Sequence, residues 1–214
     1  MDVTNPGSGM KSNDASPPAS AQQSTPSCGH LDPEERILSV AYELFSRRGI
    51  RDVGVNELIE RSGVAKATFY RHFPSKDSLV LAFLEQRDKQ WTIDSIISKA
   101  RQRGSTPVEQ LLAIFDVFGD WFGRDDFEGS AFINVLLEMG PSHPLGQASK
   151  DYLAKMRGHV QGLAEEAGLA RAEDFARSCH LLMKGSIIAA TEGDLQAAQR
   201  AQQMAGWLIE HHRK

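Results

Sequence analysis

Hydrogen-bond donors cluster in a short polar stretch between residues 66 and 76. Lys66 and Arg71 carry cationic donors that match the N7 and O6 acceptors of guanine. The remaining donors, which suit phosphate oxygens, are Thr68, Tyr70, His72 and Lys76. This pattern predicts contact with a nucleic-acid duplex, through base edges and through the backbone.

Two short helices separated by a tight turn must position these donors. We predict one helix at residues 56–61 and a second at residues 66–72, which Pro74 ends. Gly63 tolerates the positive φ of a tight turn, so the second helix can cross the first steeply. This is helix-turn-helix spacing, which presents the start of the second helix to the major groove. The next helix begins at Ser75, and its positive N-terminal end favours phosphate.

The basic residues of the chain are unevenly distributed. The formal net charge is −4, yet residues 47–76 hold seven basic and three acidic residues, a net charge of +4, which leaves −8 for the rest. A polyanion would be attracted to this stretch and repelled elsewhere, which favours one orientation of approach. Charge alone does not distinguish such a site from an ordinary solvated surface.

The run from Val55 to Leu79, VNELIERSGVAKATFYRHFPSKDSL, resembles the DNA-binding motif of TetR-type transcriptional regulators. The resemblance covers residues 34–80, and beyond them only chain length and helix count agree with the family. It implies two sets of contacts: Lys66, Ala67 and Arg71 with the bases, and Thr68, Tyr70 and Lys76 with phosphates.

Three positions depart from the usual residues of that family. Gly54 replaces Thr or Ser, Ala65 replaces Ser, and Ala67 replaces Gly. Because Ala65 cannot accept a capping hydrogen bond, which is typically worth ~1 kcal/mol, we expect the recognition helix to fray at its start without DNA. The Ala67 methyl can pack against a thymine methyl group.

Helical periodicity continues to the end of the chain. Apolar residues recur at about every 3.6 residues from Pro33 onward, and no segment alternates with a period of two. The sequence predicts an all-α protein of about nine helices, with a three-helix DNA-binding domain at residues 31–91 and a C-terminal helical domain at residues 92–214. Residues 1–30, with six Ser, four Pro and three Gly, are predicted to form a disordered tail.

Small side chains in the last two predicted helices allow close helix packing. The family resemblance implies that these helices pair with a second copy in a four-helix bundle, placing two recognition helices roughly 34 Å apart on DNA. Packing within one chain is the alternative. The candidate interface residues are Cys179, Ser186, Ala190, Ala198, Ala201, Ala205 and Leu208.

Aromatic and methionine residues concentrate between the two ends of the chain. Most must form core, but a cavity among them would suit a hydrophobic or aromatic effector. Asn134 and Glu138, four apart on one helix face, and His143 could supply polar contacts, although capping or solvated roles are open. The full set of candidates is Trp91, Phe115, Phe118, Trp121, Phe122, Asn134, Glu138, Met139, His143 and Met183.

Several classes of protein are disfavoured. Cys28 and Cys179 are too far apart in the chain for a Cys-x-x-Cys pair, and the seven histidines lack metal-binding spacing. Glycine-rich nucleotide motifs are absent from a suitable context. We therefore predict no catalytic residue, metal site or cofactor. Neither a secretory signal nor a membrane span is recognisable, which favours a cytoplasmic protein without a membrane partner.

Together these features predict a ligand-responsive DNA-binding transcriptional regulator. We expect a homodimeric repressor that binds a palindromic operator in double-stranded DNA and is released by a small hydrophobic or aromatic effector. Two alternatives remain open: a regulator of the same fold that takes no small ligand, and a helical small-molecule carrier or enzyme.

Overall fold

The computed structural model describes residues 31–213, except for the side chains of residues 90–94. The predicted tail at residues 1–30 lies outside this range. All regular secondary structure in the described part is helical. The helices are α1 (Pro33–Arg48), α2 (Val55–Ser62), α3 (Lys66–His72), α4 (Lys76–Arg87), α5 (Ser98–Arg103), α6 (Pro107–Phe122), α7 (Ala131–Met139), α8 (Pro144–Glu166), α9 (Ala172–Thr191) and α10 (Ala197–His212).

A π-helical stretch, Asp88–Ile97, joins α4 to α5 without a break. These three pieces form one rod, so the ten α-helices make nine rods in the described chain. The all-α prediction of about nine helices is therefore confirmed. The predicted domain boundary between residues 91 and 92 falls inside this rod, not in a linker.

Polar caps explain where several helices begin. At α4, Ser75 Oγ accepts from the Ser78 N–H while the Ser75 N–H donates to Ser78 Oγ, each at 3.1 Å. At α6, Thr106 Oγ1 accepts from the Glu109 N–H at 3.2 Å. Such reciprocal caps satisfy N–H groups that have no partner inside the helix. By contrast, α3 begins at Lys66 without a side-chain cap, because the alanine at its N-cap position, Ala65, has no acceptor.

The N-terminal helices build a core that also takes in part of the C-terminal half. α1 and α4 contribute fully buried side chains such as Ile37 and Leu79. Ala131 and Val135 of α7, and Leu145 of α8, are buried in the same cluster. α7 therefore packs against the N-terminal core, although more than forty residues of chain separate it from α4.

The C-terminal core forms around α6. The face of α6 from Leu111 to Phe122 is buried against α8, α9 and α10. α10 is tied to α6 by Gln202, whose Nε2 donates to the Leu112 carbonyl at 3.0 Å. The end of α10 is fixed where the Ala170 N–H donates to the His212 carbonyl at 2.7 Å.

The described residues hold neither a membrane-spanning helix nor a cluster of metal ligands. No helix there is both long and apolar enough to cross a membrane. No group of three His, Cys, Asp or Glu side chains lies close enough to hold a metal ion.

Candidate nucleic-acid interface and ligand pocket

α3 is anchored on one face and exposed on the other. Phe69 is 0% exposed and holds the helix against the N-terminal core. The residues on the opposite face are exposed to solvent: Lys66, Ala67, Tyr70 and Arg71. A seven-residue helix seated by one aromatic side chain thus projects its donors away from the body.

The turn before α3 depends on Gly63. Its φ of 64° and ψ of 28° are left-handed, and its N–H donates to the Glu60 carbonyl at 3.2 Å. A residue with a Cβ pays roughly 1–2 kcal/mol in this conformation. Val64, which follows, is buried and fixes the crossing of α2 and α3.

The predicted phosphate-binding residues occupy different environments. Thr68 and Lys76 are half-buried, and Lys76 lies in the first turn of α4. Tyr70 packs edge-on against Phe69, with ring centroids 5.5 Å apart.

His72 contacts the first turn of α1. Its side chain is 21% exposed, and Nδ1 lies 3.3 Å from Glu34 Oε2. The ring is held against α1 because α3 ends beside the first turn of that helix. His72 therefore links α3 to α1, and its role as a phosphate donor stays a prediction.

Ion pairing divides the basic stretch into two groups. Arg47, Arg48 and Arg61 are paired with Glu128, Glu57 and Glu43 at 3.2, 2.6 and 2.9 Å. Among the described residues of this stretch, four have no carboxylate partner within 4.0 Å: Arg51, Lys66, Arg71 and Lys76. Three of these four unpaired cations lie on α3 and at the start of α4, and Arg51 lies in the loop after α1.

Glu138 of α7 connects the two halves of the protein. Its carboxylate accepts from the Ile50 N–H at 2.8 Å and from the Arg51 N–H at 2.5 Å. Gly49, with a φ of 80°, passes so close that a Cβ there would lie 3.0 Å from Glu138 Oε2. The loop after α1 is thus held by one side chain from the C-terminal half.

Asn134 and Glu138 do share a helix face, but that face turns toward α1. They line a polar cavity of about 210 Å³ between α1, α4 and α7, together with Arg47, Arg87 and Glu128. Burial lowers the pKa of Arg87, although the nearby Tyr42 and Glu128 oppose this effect. The prediction that Asn134 and Glu138 line the aromatic pocket is therefore corrected.

A second, apolar cavity of about 60 Å³ lies between α6, α7, α8 and α9. Three predicted residues, Phe118, Trp121 and Met183, line it. The other lining residues in the described chain are Ile96, Ser130, Phe132, Ile133, Tyr152, Leu153, Met156, His180, Lys184 and Ile187.

The polar members of this pocket were missed by the sequence reasoning. His180 is buried, and burial together with the charges of Lys184 and Arg157 lowers its pKa to about 4. His180, Met183, Lys184 and Ile187 follow the i, i+3, i+4, i+7 spacing of one helix face. Because Met183 was already a candidate for the pocket, this spacing could have identified His180 and Lys184 as its neighbours on the same helix face.

The other predicted pocket residues lie elsewhere. Phe115 and Phe122 are buried in the C-terminal core and do not line the cavity. Met139 packs against the N-terminal core. His143 caps α8, where its Nδ1 accepts from the Leu145 N–H at 3.2 Å. These four assignments are corrected, and the Trp91 side chain lies outside the described residues.

The predicted dimer residues face the interior of their own chain. α9 and α10 pack their small side chains against each other and against α6. Leu208 is therefore partly buried, and the other six predicted residues are buried: Cys179, Ser186, Ala190, Ala198, Ala201 and Ala205. Ser186 and Ala201 form the floor of a shallow apolar groove. Large apolar side chains on the same two helices are exposed instead: Leu181, Ile188, Met204 and Trp207. The small residues therefore pack mainly within the chain, Ser186 and Ala201 also line the exposed groove, and the dimer interface stays a prediction.

Comparisons with known proteins agree with this geometry. Residues 37–83 match the family described as bacterial regulatory proteins, tetR family. The HTH-type transcriptional activator FasR of Mycolicibacterium smegmatis is 33% identical over 93 residues, which cover 42% of this chain. This chain spans only 40% of the length of that relative.

Two longer matches extend into the C-terminal half. The HTH-type transcriptional regulator LmrA of Bacillus subtilis is 25% identical over 162 residues, covering 73% of this chain and 85% of that protein. The crystal structure of a TetR-family transcriptional regulator from Streptomyces coelicolor superposes with a TM-score of 0.77 at 26% identity, over 85% of this chain and 96% of that one.

Proposed function

Because this chain is a member of the TetR family of DNA-binding transcriptional regulators, we propose that it is a ligand-responsive repressor that binds a palindromic operator as a homodimer. The observation that carries the proposal is the two-faced α3, with Phe69 buried and cationic donors exposed without carboxylate partners. A helix of this kind fits the major groove.

The exposed face of α3 supports two kinds of DNA contact, one with base edges and one with backbone phosphates. Arg71 and Lys66 are exposed and long enough to reach guanine acceptors, while Ala67 can contact a thymine methyl. Tyr70 on this face, and the half-buried Thr68 and Lys76, suit phosphate oxygens. Lys76 combines its own charge with the positive end of α4.

The exposed apolar stripe of α9 and α10 supports dimerisation. Leu181 and Trp207 are 65% and 70% exposed, and Met204 lies in the same groove as Leu181. Exposed apolar side chains grouped in this way often mark a protein–protein interaction site. Two copies related by a twofold axis would cover it and present two α3 helices to successive major grooves.

The apolar pocket and the Glu138 contact support control by a small ligand. The pocket lies in the C-terminal half, and α7 contributes both to its wall, through Ile133, and to the loop after α1, through Glu138. A ligand that shifts α7 would therefore displace the DNA-binding helices. A preference of ~3 kcal/mol for the displaced arrangement weakens operator binding roughly a hundredfold.

Activation of transcription is the second candidate, because the relative FasR carries the name of an activator. The two roles differ in where the operator lies relative to the promoter, not in the chemistry of α3. A reporter gene placed behind the selected operator separates them, since deletion of the regulator raises expression only for a repressor.

Selection of bound sequences from random duplex DNA tests the DNA-binding proposal. We expect enrichment of a palindrome whose half-site centres lie about one helical turn, or roughly 34 Å, apart. The Arg71→Ala variant should lose part of the consensus, whereas Lys99→Ala, which removes an exposed cation from α5, should retain it. Absence of any enriched palindrome would favour the carrier alternative.

A further inference from the structure

We propose that the ligand of the apolar pocket is a hydrophobic carboxylic acid, whose carboxylate is bound by His180 and Lys184 while its hydrocarbon part lies against the aromatic and methionine wall. This assignment rests on the proposed function, because it takes the pocket of that function as the effector site.

The wall of the pocket is suited to a hydrocarbon group. Phe118 and Trp121 of α6 pack edge to face with ring centroids 5.8 Å apart, and α8 and α9 contribute Met156 and Met183. The cavity itself is about 60 Å³, smaller than the roughly 300 Å³ at which ordinary ligand pockets begin. Methionine side chains repack easily, so the two thioethers are the groups that would yield to a larger ligand.

The polar end of the pocket is cationic. His180 and Lys184 lie one turn apart on α9 and both line the cavity, and none of the described lining residues is acidic. Within the described part of the chain, neither Lys184 nor Arg157 has a carboxylate partner within 4.0 Å. A half-buried lysine beside an apolar cavity thus lacks the counter-charge that buried cations normally have.

The electrostatic potential at His180 agrees with this assignment. The charges of Lys184, on α9, and Arg157, on α8, lower its pKa in the same direction as burial does. The imidazole is therefore neutral at neutral pH and can donate one N–H, while the lysine supplies the charge. A bound carboxylate would accept from both groups and compensate the positive potential.

Tyr152, which also lines the cavity, does not compete for the anion. Lys155 Nζ lies 4.4 Å from the centre of the Tyr152 ring, and this lysine is paired with Asp88 at 3.1 Å. Glu85, which also acts on Tyr152, is paired with Lys89 at 2.8 Å. Burial raises the pKa of Tyr152, so the phenol is neutral. Lys184 of α9 is therefore the unpaired cation of the lining toward which a carboxylate would be oriented.

The charge of the site favours a monoanion. Lys184 is the one cation among the described lining residues and His180 is neutral, so a single positive charge lies in direct reach of a bound ligand, while Arg157 acts from outside the lining. A carboxylate balances this charge, whereas a dianionic phosphate monoester would leave one negative charge uncompensated in an apolar site.

Direct binding to the full chain tests the proposal. The probes are decanoate and 4-phenylbutyrate, each with its matched alcohol and amine. Binding is measured by isothermal titration calorimetry at neutral pH without DNA. We expect at least one carboxylate to bind about tenfold more tightly than its alcohol. Lys184→Gln should reduce this preference about fivefold while leaving the affinity for the alcohol unchanged. Lys99→Gln, at an exposed lysine of α5, is the matched control.

Three outcomes would overturn the assignment: no binding of either carboxylate, equal or tighter binding of the alcohol or amine, or an unchanged preference in Lys184→Gln. Circular dichroism of Lys184→Gln verifies that the variant is folded, and its affinity for the alcohol reports an intact pocket. Because DNA selection is carried out without ligand, a selected palindrome with no carboxylate binding refutes only this assignment. Carboxylate binding without a selected palindrome refutes the DNA-binding proposal instead.

Discussion

Neighbouring residues of α3 have opposite environments, and this contrast determines what each can do. Phe69 is fully buried and Tyr70 is exposed, although they are adjacent in the chain. Helical spacing alone predicted which side chains of α3 point outward. It could not predict that His72 turns toward Glu34, because that contact joins residues 38 positions apart.

Arg71 and Lys76 should differ in the kind of DNA binding that they support. Arg71→Ala is expected to lose about 1–3 kcal/mol at one base-pair position and to relax specificity there. Lys76→Ala should weaken binding to all sequences alike and reduce the slope of log affinity against log salt by about 1. Fluorescence anisotropy with substituted operators over a salt series measures both. Identical profiles for the two variants would contradict the assigned roles.

His180 should make the stability of the protein depend on pH. Its folded pKa of about 4 lies below the ordinary value of 6.5, so the unfolded chain binds more protons between these values. The contribution is complete above pH 6.5 and is lost as the pH falls toward 4, by up to about 1.4 kcal/mol per pH unit.

Urea unfolding of the wild type and of His180→Gln across this pH range measures that contribution. The variant should lose less stability on acidification than the wild type does. His211→Gln, at an exposed histidine of α10, is the control and should follow the wild type. Parallel curves for all three proteins would show that His180 is not responsible.

At the level of elements, the contact between α7 and the loop after α1 could not be predicted from the sequence. The four-residue spacing of Asn134 and Glu138 indicated that they share a face. It gave no information about which helix that face meets, since a helix of nine residues can be rotated to bury either side. The individual helices were easier to predict because local signals, such as Ser75 and Gly63, mark their ends.

Removal of the Glu138 carboxylate should loosen this contact. Glu138→Ala leaves the Ile50 and Arg51 N–H groups without their acceptor, which we expect to lower the free energy of unfolding by about 1–3 kcal/mol. Amide exchange at these two residues should accelerate. Glu192→Ala, at an exposed carboxylate after α9, is the control. Unchanged protection of both amides would refute the role of Glu138.

For the whole molecule, the exposed apolar side chains of α9 and α10 are better candidates for the dimer interface than the buried small residues of the same helices. The sequence predicted that the last two helices form the interface, and in the structure their small side chains pack closely inside the chain. When both faces of a helix are apolar, periodicity does not indicate which face is buried. The packed structure is needed to tell the buried face from the exposed one. Leu181 and Trp207 then become the residues to test.

A negative charge introduced into the exposed apolar surface of α9 and α10 should prevent two copies of the chain from associating. Trp207→Glu is expected to give a monomer in analytical ultracentrifugation and to weaken operator binding at least about a hundredfold, because the second half-site is no longer tethered. Leu137→Glu places the same charge on α7, at a leucine that is 75% exposed, and should remain dimeric. A dimeric Trp207→Glu, or a monomeric wild type, would contradict this assignment of the interface.

The continuous rod of α4, the π-helical stretch and α5 has a mechanical consequence. Its 28 residues, Lys76 to Arg103, span about 40 Å at the usual helical rise. A tilt of roughly five degrees about the α5 end therefore moves Lys76 by about 3.5 Å, close to the separation of successive base pairs along the duplex. Leverage of this size converts a slight rearrangement beside α6 into a misfit of a whole base-pair step.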